Sequence, residues 1–196
     1  GKALNFTAAS SQVVNFANCK MSQKINGAFQ VTITAWVKTS TTTPFTSQGV
    51  VVNSTSVGDG AAMFINSNFT VSVQGRSDAT DSLQSMGSTG IIRANQWYFI
   101  TGVYDYANDQ FKIYINGIHD KTGSATFNST TFSSCTTFTN RIGSSSTPDR
   151  FFEGIIDEVR LYNRELSASE IMALYKSGVT IQKIASRNGL LGHWKF

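Results

Sequence analysis

Apolar and polar side chains alternate along most of the chain. The clearest run places apolar residues at Phe29, Val31, Ile33, Ala35 and Val37, with mostly polar residues between them. A period of two is typical of a strand with one buried face. Similar short segments occur at 3–6, 49–53, 61–65, 69–74, 97–104, 140–143 and 154–162. Many short strands without long helices between them predict an all-β, antiparallel two-sheet sandwich.

A hairpin and one short helix add detail to this prediction. Asn116-Gly117 separates two strand-like segments and suits a type I′ turn, which needs two positive φ angles. Near the C-terminal end, Ser167 can cap a helix over 168–177, and Glu170 completes a capping box. Gly178 can end that helix in a left-handed conformation.

The organisation is that of one principal domain. We expect a β-sandwich over 1–178, a connector over 179–189 and a terminal strand over 190–196. The Ser- and Thr-rich segments, among them 77–89 and 144–150, are predicted as loops, where recognition residues are often found.

Composition narrows the function classes. Only 14% of the residues are charged, and the net charge is +4. The lysines and arginines are scattered, whereas nucleic-acid binding needs clustered cations, so we expect no nucleic-acid partner. No apolar run approaches the roughly 20 residues that span a bilayer, so no membrane insertion is expected. Cys19 and Cys135 are compatible with one disulfide or with two buried thiols.

Several motifs, in order, resemble the laminin-G-like branch of the concanavalin A-like lectin/glucanase superfamily. They are Gly1-Lys-Ala-Leu-Asn-Phe6, the Trp36 strand, the Trp97 strand, the hairpin from Phe111 to Gly117, and the segment 152–164 with the helix after it. The resemblance implies a jelly-roll β-sandwich with one short helix. It also implies buried core positions, and so structural roles, for Trp36 and Trp97.

The last residues depart from the order usual in that family. The segment 190–196 resembles the family's first strand, yet it follows the other motifs. Such a strand can complete the sheet of its own chain or, by β-augmentation, the sheet of a neighbouring copy or repeat. An ordinary C-terminal strand is the simpler interpretation.

Catalysis finds little support in the residues. Glycosidases of this superfamily use paired carboxylates, and the Glu-x-Asp-x-x-Glu pattern is absent. Glu153 and Asp157 form the nearest pair, but they belong to a segment that resembles a structural strand. We therefore expect no enzyme activity, with an unconventional glucanase based on this pair as a minor alternative.

Two kinds of site are predicted. The resemblance implies that Asp157 helps to hold a structural calcium ion, whereas the alternative is a capped or salt-bridged carboxylate. For ligand binding, we name Tyr106, Asp149, Arg150 and Phe151, because aromatic faces beside polar groups suit sugars.

The leading hypothesis is a non-catalytic, extracellular or cell-surface module that binds a glycan or a cell-surface polysaccharide, or that mediates adhesion, within a larger protein. The alternative is a structural module of a surface array or filament, assembled with neighbouring copies or repeats by exchange of the C-terminal strand. This assignment rests on fold analogy, and a fold alone does not determine function.

Overall fold

The structure, a computed structural model, has two antiparallel β-sheets packed face to face. It describes residues 3–16, 25–42, 46–55, 58–78, 80–132, 139–145, 150–179 and 188–196. Cys19, Cys135 and Asp149 lie outside these residues, as does most of the predicted connector. The predicted jelly-roll-type sandwich with one helix near the C-terminal end is confirmed.

The first sheet has seven strands, and the second has six. Strands of the first sheet follow the order β1-β12-β3-β8-β9-β10, with β13 also pairing with β12, and those of the second follow β2-β11-β4-β5-β6-β7. Their bounds are β1 Leu4–Phe6, β2 Val14–Phe16, β3 Gln30–Thr39, β4 Gln48–Thr55, β5 Gly58–Ile65, β6 Thr70–Gly75, β7 Gln84–Ile91, β8 Tyr98–Asp105, β9 Gln110–Ile115, β10 Ile118–Ser124, β11 Thr139–Ile142, β12 Gly154–Tyr162 and β13 Leu190–Trp194.

One apolar core lies between the two sheets. Alternate residues of each strand point into it, including Ile33 and Ile100 from the first sheet and Met63 and Val73 from the second. The sheets approach closely at Gly102, where an added Cβ would lie 2.6 Å from Cγ1 of Val73. A side chain at this position would therefore force the sheets apart.

The helix α1, Ala168–Val179, covers the outer face of the seven-stranded sheet. The capping box is confirmed, because the Ser167 nitrogen donates to Glu170 (2.9 Å) and the Glu170 nitrogen donates to Ser167 Oγ (3.3 Å). The predicted end at Gly178 is wrong. Gly178 lies within the helix, where a Cβ would come 2.9 Å from Cζ2 of Trp36. The close packing of the helix on Trp36 explains this glycine.

This helix also changes the interpretation of β3, which we predicted to be half-buried. Thr32 and Thr34, on its polar face, are fully buried, so both faces of the strand are covered. Phe29, predicted as an inward residue, lies just before the strand and is 57% exposed. No helix in the described part of the chain has both the length and the apolarity needed to cross a membrane.

The hairpin is confirmed, and two strands were missed. Asn116 and Gly117 have φ angles of 53° and 78° and join β9 to β10 as a two-residue turn. The segment predicted as a loop over 77–89 contains most of β7, and β2 was not predicted either. Strand β7 consists largely of small and polar residues, and it lies at the edge of its sheet, where burial leaves only a weak pattern.

The C-terminal strand completes the sheet of its own chain. Strand β13 pairs with the end of β12, and β1 pairs with the beginning of the same strand. Between the two contacts, β12 has a bulge at which Glu158 adopts a φ angle of 50°. Glu158 Oε2 accepts from Arg160 and from His193 Nε2 (2.7 Å), and Lys195 lies 3.6 Å from Oε1. Of these three basic side chains, His193 and Lys195 come from the C-terminal segment and so link it to the bulge.

We predict that Glu158→Gln lowers the free energy of unfolding by about 1–3 kcal/mol at pH 7. The substitution leaves the side chains of Arg160, His193 and Lys195 without their carboxylate partner. Although burial opposes ionisation, Arg160, His193 and Lys195 hold the pKa of Glu158 below its usual value of 4.5. The stability that the carboxylate adds is therefore complete above pH 4.5 and is lost as the pH falls through the lower value in the folded state.

Urea unfolding of both proteins between pH 3 and pH 7 measures this difference. Glu165→Gln, which removes the partially exposed ion pair with Lys112, is the control and should cost less than about 1 kcal/mol. A difference for Glu158→Gln that stays constant down to pH 3 would contradict the account.

Candidate functional site

The outer face of the six-stranded sheet is the face that α1 does not cover. The strand register places Arg141, Val52, Ala62, Gln74 and Ser85 side by side across it. One step along the strands, Phe64 lies opposite Ser72, which lies opposite Gly87. The apolar residues Val52, Ala62 and Phe64 form a small buried cluster of their own. Polar and small residues occupy the β6 and β7 part of the face.

The loop between β11 and β12 packs against this face. Gly49, the cross-strand partner of Phe64, has no side chain, and an added Cβ would lie 2.6 Å from the backbone nitrogen of Ser145. Arg141 donates to the Ser145 carbonyl oxygen (2.7 Å), and the Gly49 nitrogen donates to the Arg150 carbonyl oxygen (3.0 Å). Both described ends of the loop are therefore fixed to the sheet.

This loop carries Arg150 over the ring of Phe64. The guanidinium carbon lies 5.9 Å from the ring centroid, which is the range of a cation–π contact. None of the described carboxylates lies within 4.0 Å of the Arg150 guanidinium. The ring and the loop thus orient a positive charge at the border of the polar part of the face.

The amide of Asn66 is held rigidly at the other border. Its Oδ1 accepts from Ser47 Oγ (3.3 Å) and Ser72 Oγ (3.0 Å), and its Nδ2 donates to Thr70 Oγ1 (3.0 Å). A Cβ added to Gly87 would lie 3.7 Å from Thr70 Oγ1 and 3.8 Å from Asn66 Nδ2. A methyl group at Gly87 would therefore make only ordinary van der Waals contact with these polar groups.

We call this surface the outer strip. Its accessible residues are Asn66, Thr70, Gln74, Ser85, Gly87 and Arg150, and the buried Ser72 lies beneath them and holds Asn66. Among the described side chains that the register places on this strip, none is a carboxylate. Fixed hydroxyls, amides and a guanidinium on a shallow floor can form hydrogen bonds to a sugar's hydroxyl groups.

The four predicted ligand residues do not form one site. Arg150 lies on the outer strip, Phe151 beside it in sequence is half-buried, and Asp149 is outside the described residues. Tyr106 is buried in the core, where its ring packs against Phe127 at 4.9 Å and against Phe132 at 5.7 Å. A ring covered in this way offers no face to a sugar, so we do not retain Tyr106.

The Tyr106 hydroxyl has a structural partner instead. Burial, with the charge of Asp81, raises the pKa of Tyr106 well above its usual value. The hydroxyl therefore stays protonated, and it donates to the Gly60 carbonyl oxygen (3.2 Å).

The two tryptophans differ in exposure. Trp36 stacks on Tyr175 of α1, with ring centroids 5.6 Å apart, which agrees with its predicted structural role. Trp97 packs edge-on against Trp36 but remains 41% exposed, so the expectation that it is buried is wrong. It lies just before β8, at the margin of the area that α1 covers.

Asp157 lies at the bulge of β12. Its Oδ1 accepts from the nitrogens of Glu158 (2.7 Å) and Phe196 (3.0 Å), while the neighbouring Glu158 is surrounded by cations. Calcium prefers six to eight oxygen ligands, of which the Asp157 carboxylate would supply one or two. Within the described residues, no three or more His, Cys, Asp or Glu side chains form a group that could hold a metal ion. Calcium at Asp157 stays a prediction.

The carboxylates of Glu153 and Asp157 accept hydrogen bonds from different backbone amides. Glu153 Oε2 accepts from the Ala8 nitrogen (2.6 Å), whereas Asp157 accepts from the amides at the bulge. A glycosidase needs one carboxyl group as an acid and the other as a base or nucleophile, both directed at the substrate. Because each of these carboxylates is engaged by backbone amides, the arrangement does not favour the glucanase alternative.

The comparison with protein families agrees with the fold. Residues 9–172 match the family Laminin_G_3 of the concanavalin A-like lectin/glucanases superfamily. The chain belongs to this family. A search of curated proteins found no match.

Solved structures with a similar fold include sugar-binding domains. One is a Bacteroides ovatus protein of proposed carbohydrate-binding function (TM-score 0.70, 16% identity). The match covers 98% of this chain but only 50% of the Bacteroides ovatus chain. Another is the CBM40 domain of the Ruminococcus gnavus IT-sialidase with α2,3-sialyllactose (TM-score 0.66, 15% identity, 89% of this chain and 96% of that one). A third is domain 4 of AbnA, an extracellular arabinanase of Geobacillus stearothermophilus, with arabinotriose (TM-score 0.60, 20% identity, 89% and 77%). At these identities the likeness concerns the fold.

Most of the outer strip was missed by sequence reasoning. Asn66, Ser72 and Gly87 come together only through the pairing of β5, β6 and β7, and β7 was not predicted. The alternation of small residues in 84–91 was the available signal.

We predict that Gly49→Ala destabilises the domain by about 1–3 kcal/mol, because the new methyl group collides with the backbone of the loop that carries Arg150. Gly87→Ala, on the same face, meets only ordinary contacts and should change stability by less than about 0.5 kcal/mol. Urea unfolding of both variants measures the contrast. Equal effects would mean that the loop does not pack on Gly49 as described.

Proposed function

We propose that this chain is a non-catalytic carbohydrate-binding module that binds its glycan on the outer strip. The main support is the arrangement of a fixed amide, hydroxyls and a guanidinium on the partly exposed β6 and β7 part of the sheet face. The side chains of Gln74 and Ser85 lie opposite each other on the same face, and Gly87 adds no side chain to it.

The fold relatives support the same class. Structures with this fold carry sialyllactose and arabinotriose, and the family as a whole is named for lectins and glucanases. The carboxylates Glu153 and Asp157 accept backbone hydrogen bonds, which favours a binding role over hydrolysis.

The proposal includes the setting of the module. An extracellular or cell-surface location, within a larger protein, suits a domain that binds polysaccharide or promotes adhesion, and the arabinanase with a similar domain is itself extracellular. Assembly by strand exchange receives no specific support, because β13 pairs within its own chain.

A glycan-array screen tests whether the domain binds a glycan, and the Gly87→Trp variant tests whether the glycan binds on the outer strip. The indole should cover the surface between Asn66 and Ser85 and reduce binding at least tenfold. A Cβ at Gly87 meets only ordinary contacts, and urea unfolding confirms that the variant is folded. Ser169→Trp, on the exposed surface of α1, is the matched control and should bind normally. Binding by the wild-type protein that Gly87→Trp leaves unchanged would place the site elsewhere.

The same array, run with calcium and with a chelator, tests whether glycan binding depends on calcium. Because Asp157 belongs to β12 of the seven-stranded sheet, whereas the outer strip lies on the six-stranded sheet, we expect binding to be equal in the two buffers. Binding that disappears with the chelator would establish a calcium-assisted lectin instead. No binding to any glycan in either buffer would overturn the proposed function.

A further inference from the structure

We infer that the outer strip recognises a saccharide that carries a carboxylate, and that the Arg150 guanidinium binds this group. The inference rests on the proposed function and specifies its ligand class. It depends on the charge of the site, which is set by the orientation of one side chain and by the neutrality of those around it.

The first step of the argument is the state of Arg150. A guanidinium stays charged at all physiological pH values, and in folded proteins it is commonly paired with a carboxylate. Arg150 instead lies over Phe64, with its guanidinium carbon 5.9 Å from the ring centroid. Two other arginines, Arg160 and Arg164, pair with the carboxylates of Glu158 and Glu170.

The second step is that the backbone from which Arg150 extends is held in place before any ligand binds. The Arg150 carbonyl accepts from the Gly49 nitrogen (3.0 Å), and Arg141, a positioning residue, secures the same loop through the Ser145 carbonyl. The guanidinium carbon lies within cation–π range of the Phe64 ring. A preorganised fork loses little entropy on binding, and its paired N–H groups match the two oxygens of a carboxylate.

The third step is what the rest of the strip supplies. The neighbouring side chains are hydroxyls and amides of Ser72, Thr70, Asn66 and Gln74, which suit sugar hydroxyls. No described carboxylate on the strip would repel an anion. A positive charge among neutral hydrogen-bonding groups favours an acidic sugar over a neutral one.

The experiment uses ligands that differ only in charge. Binding to trigalacturonate and to 3′-sialyllactose is measured by calorimetry, alongside the methyl ester of each. The two acids represent the uronic and the sialic sources of the same chemistry. We expect at least one acid to bind at least ten times more tightly than its ester, with an affinity that falls as salt is raised.

Variants assign the preference to Arg150. Arg150→Gln should reduce the affinity for the acid at least tenfold and bring the affinities for the acid and its ester to within about twofold of each other. Arg150→Lys, which keeps the charge but not the fork, should recover part of the loss. Lys121→Gln, which removes one exposed charge from β10, is the control and should bind as the wild type does. Urea unfolding confirms that each variant is folded.

The outcomes separate the two proposals. Equal binding of acid and ester, unaffected by Arg150→Gln, would overturn the inference and leave the carbohydrate-binding function standing. A preference for the acid that survives in both Arg150 variants would overturn the role of this residue. No binding of any acid or ester, combined with binding of neutral glycans on the array, would also overturn the inference, whereas no binding to any glycan overturns both.

Discussion

The two sheets of this domain bury one face each in a single shared core, and every other feature depends on that packing. The sheets approach so closely that Gly102 can carry no side chain, and Val73 and Met63 fill the space opposite it. Alternation along the strands then decides which residues point outward. Because the inner faces pack against each other in the core, the outer faces are the surfaces on which the protein can differ from others with the same fold.

The two outer faces are used differently. On the seven-stranded sheet, α1 packs against aromatic residues such as Trp36 and Phe99, and even the threonines of β3 become buried. On the six-stranded sheet, the apolar part is limited to Val52, Ala62 and Phe64, and a loop fixed at Gly49 lies against it. The remaining part of the face is polar and shallow, and it carries the oriented charge of Arg150. The described chain therefore leaves the surface with the best binding chemistry on the second sheet.

The sequence predicted the elements whose signals are local. The period of two in β3, the Asn116-Gly117 turn and the Ser167–Glu170 capping box each depend on neighbouring residues, and each was found. The errors arose where tertiary contacts decide. Gly178 stays helical because Trp36 lies against it, and β7 is a strand because β6 pairs with it. The site follows the same rule, since Arg150 was identified from its sequence neighbours, whereas Asn66 and Gly87 meet only through strand pairing.

The central claim is that the outer strip is the binding surface, and amide chemical-shift mapping tests it most directly. The ¹⁵N-labelled domain would be titrated with 3′-sialyllactose and, separately, with trigalacturonate. The account predicts that, for a saccharide that binds, the largest shifts occur in β6, in β7 and around Asn66 and Arg150, with little change in α1. Saturable shifts confined to the turn at 106–109, or to the surface around Trp97, would contradict it.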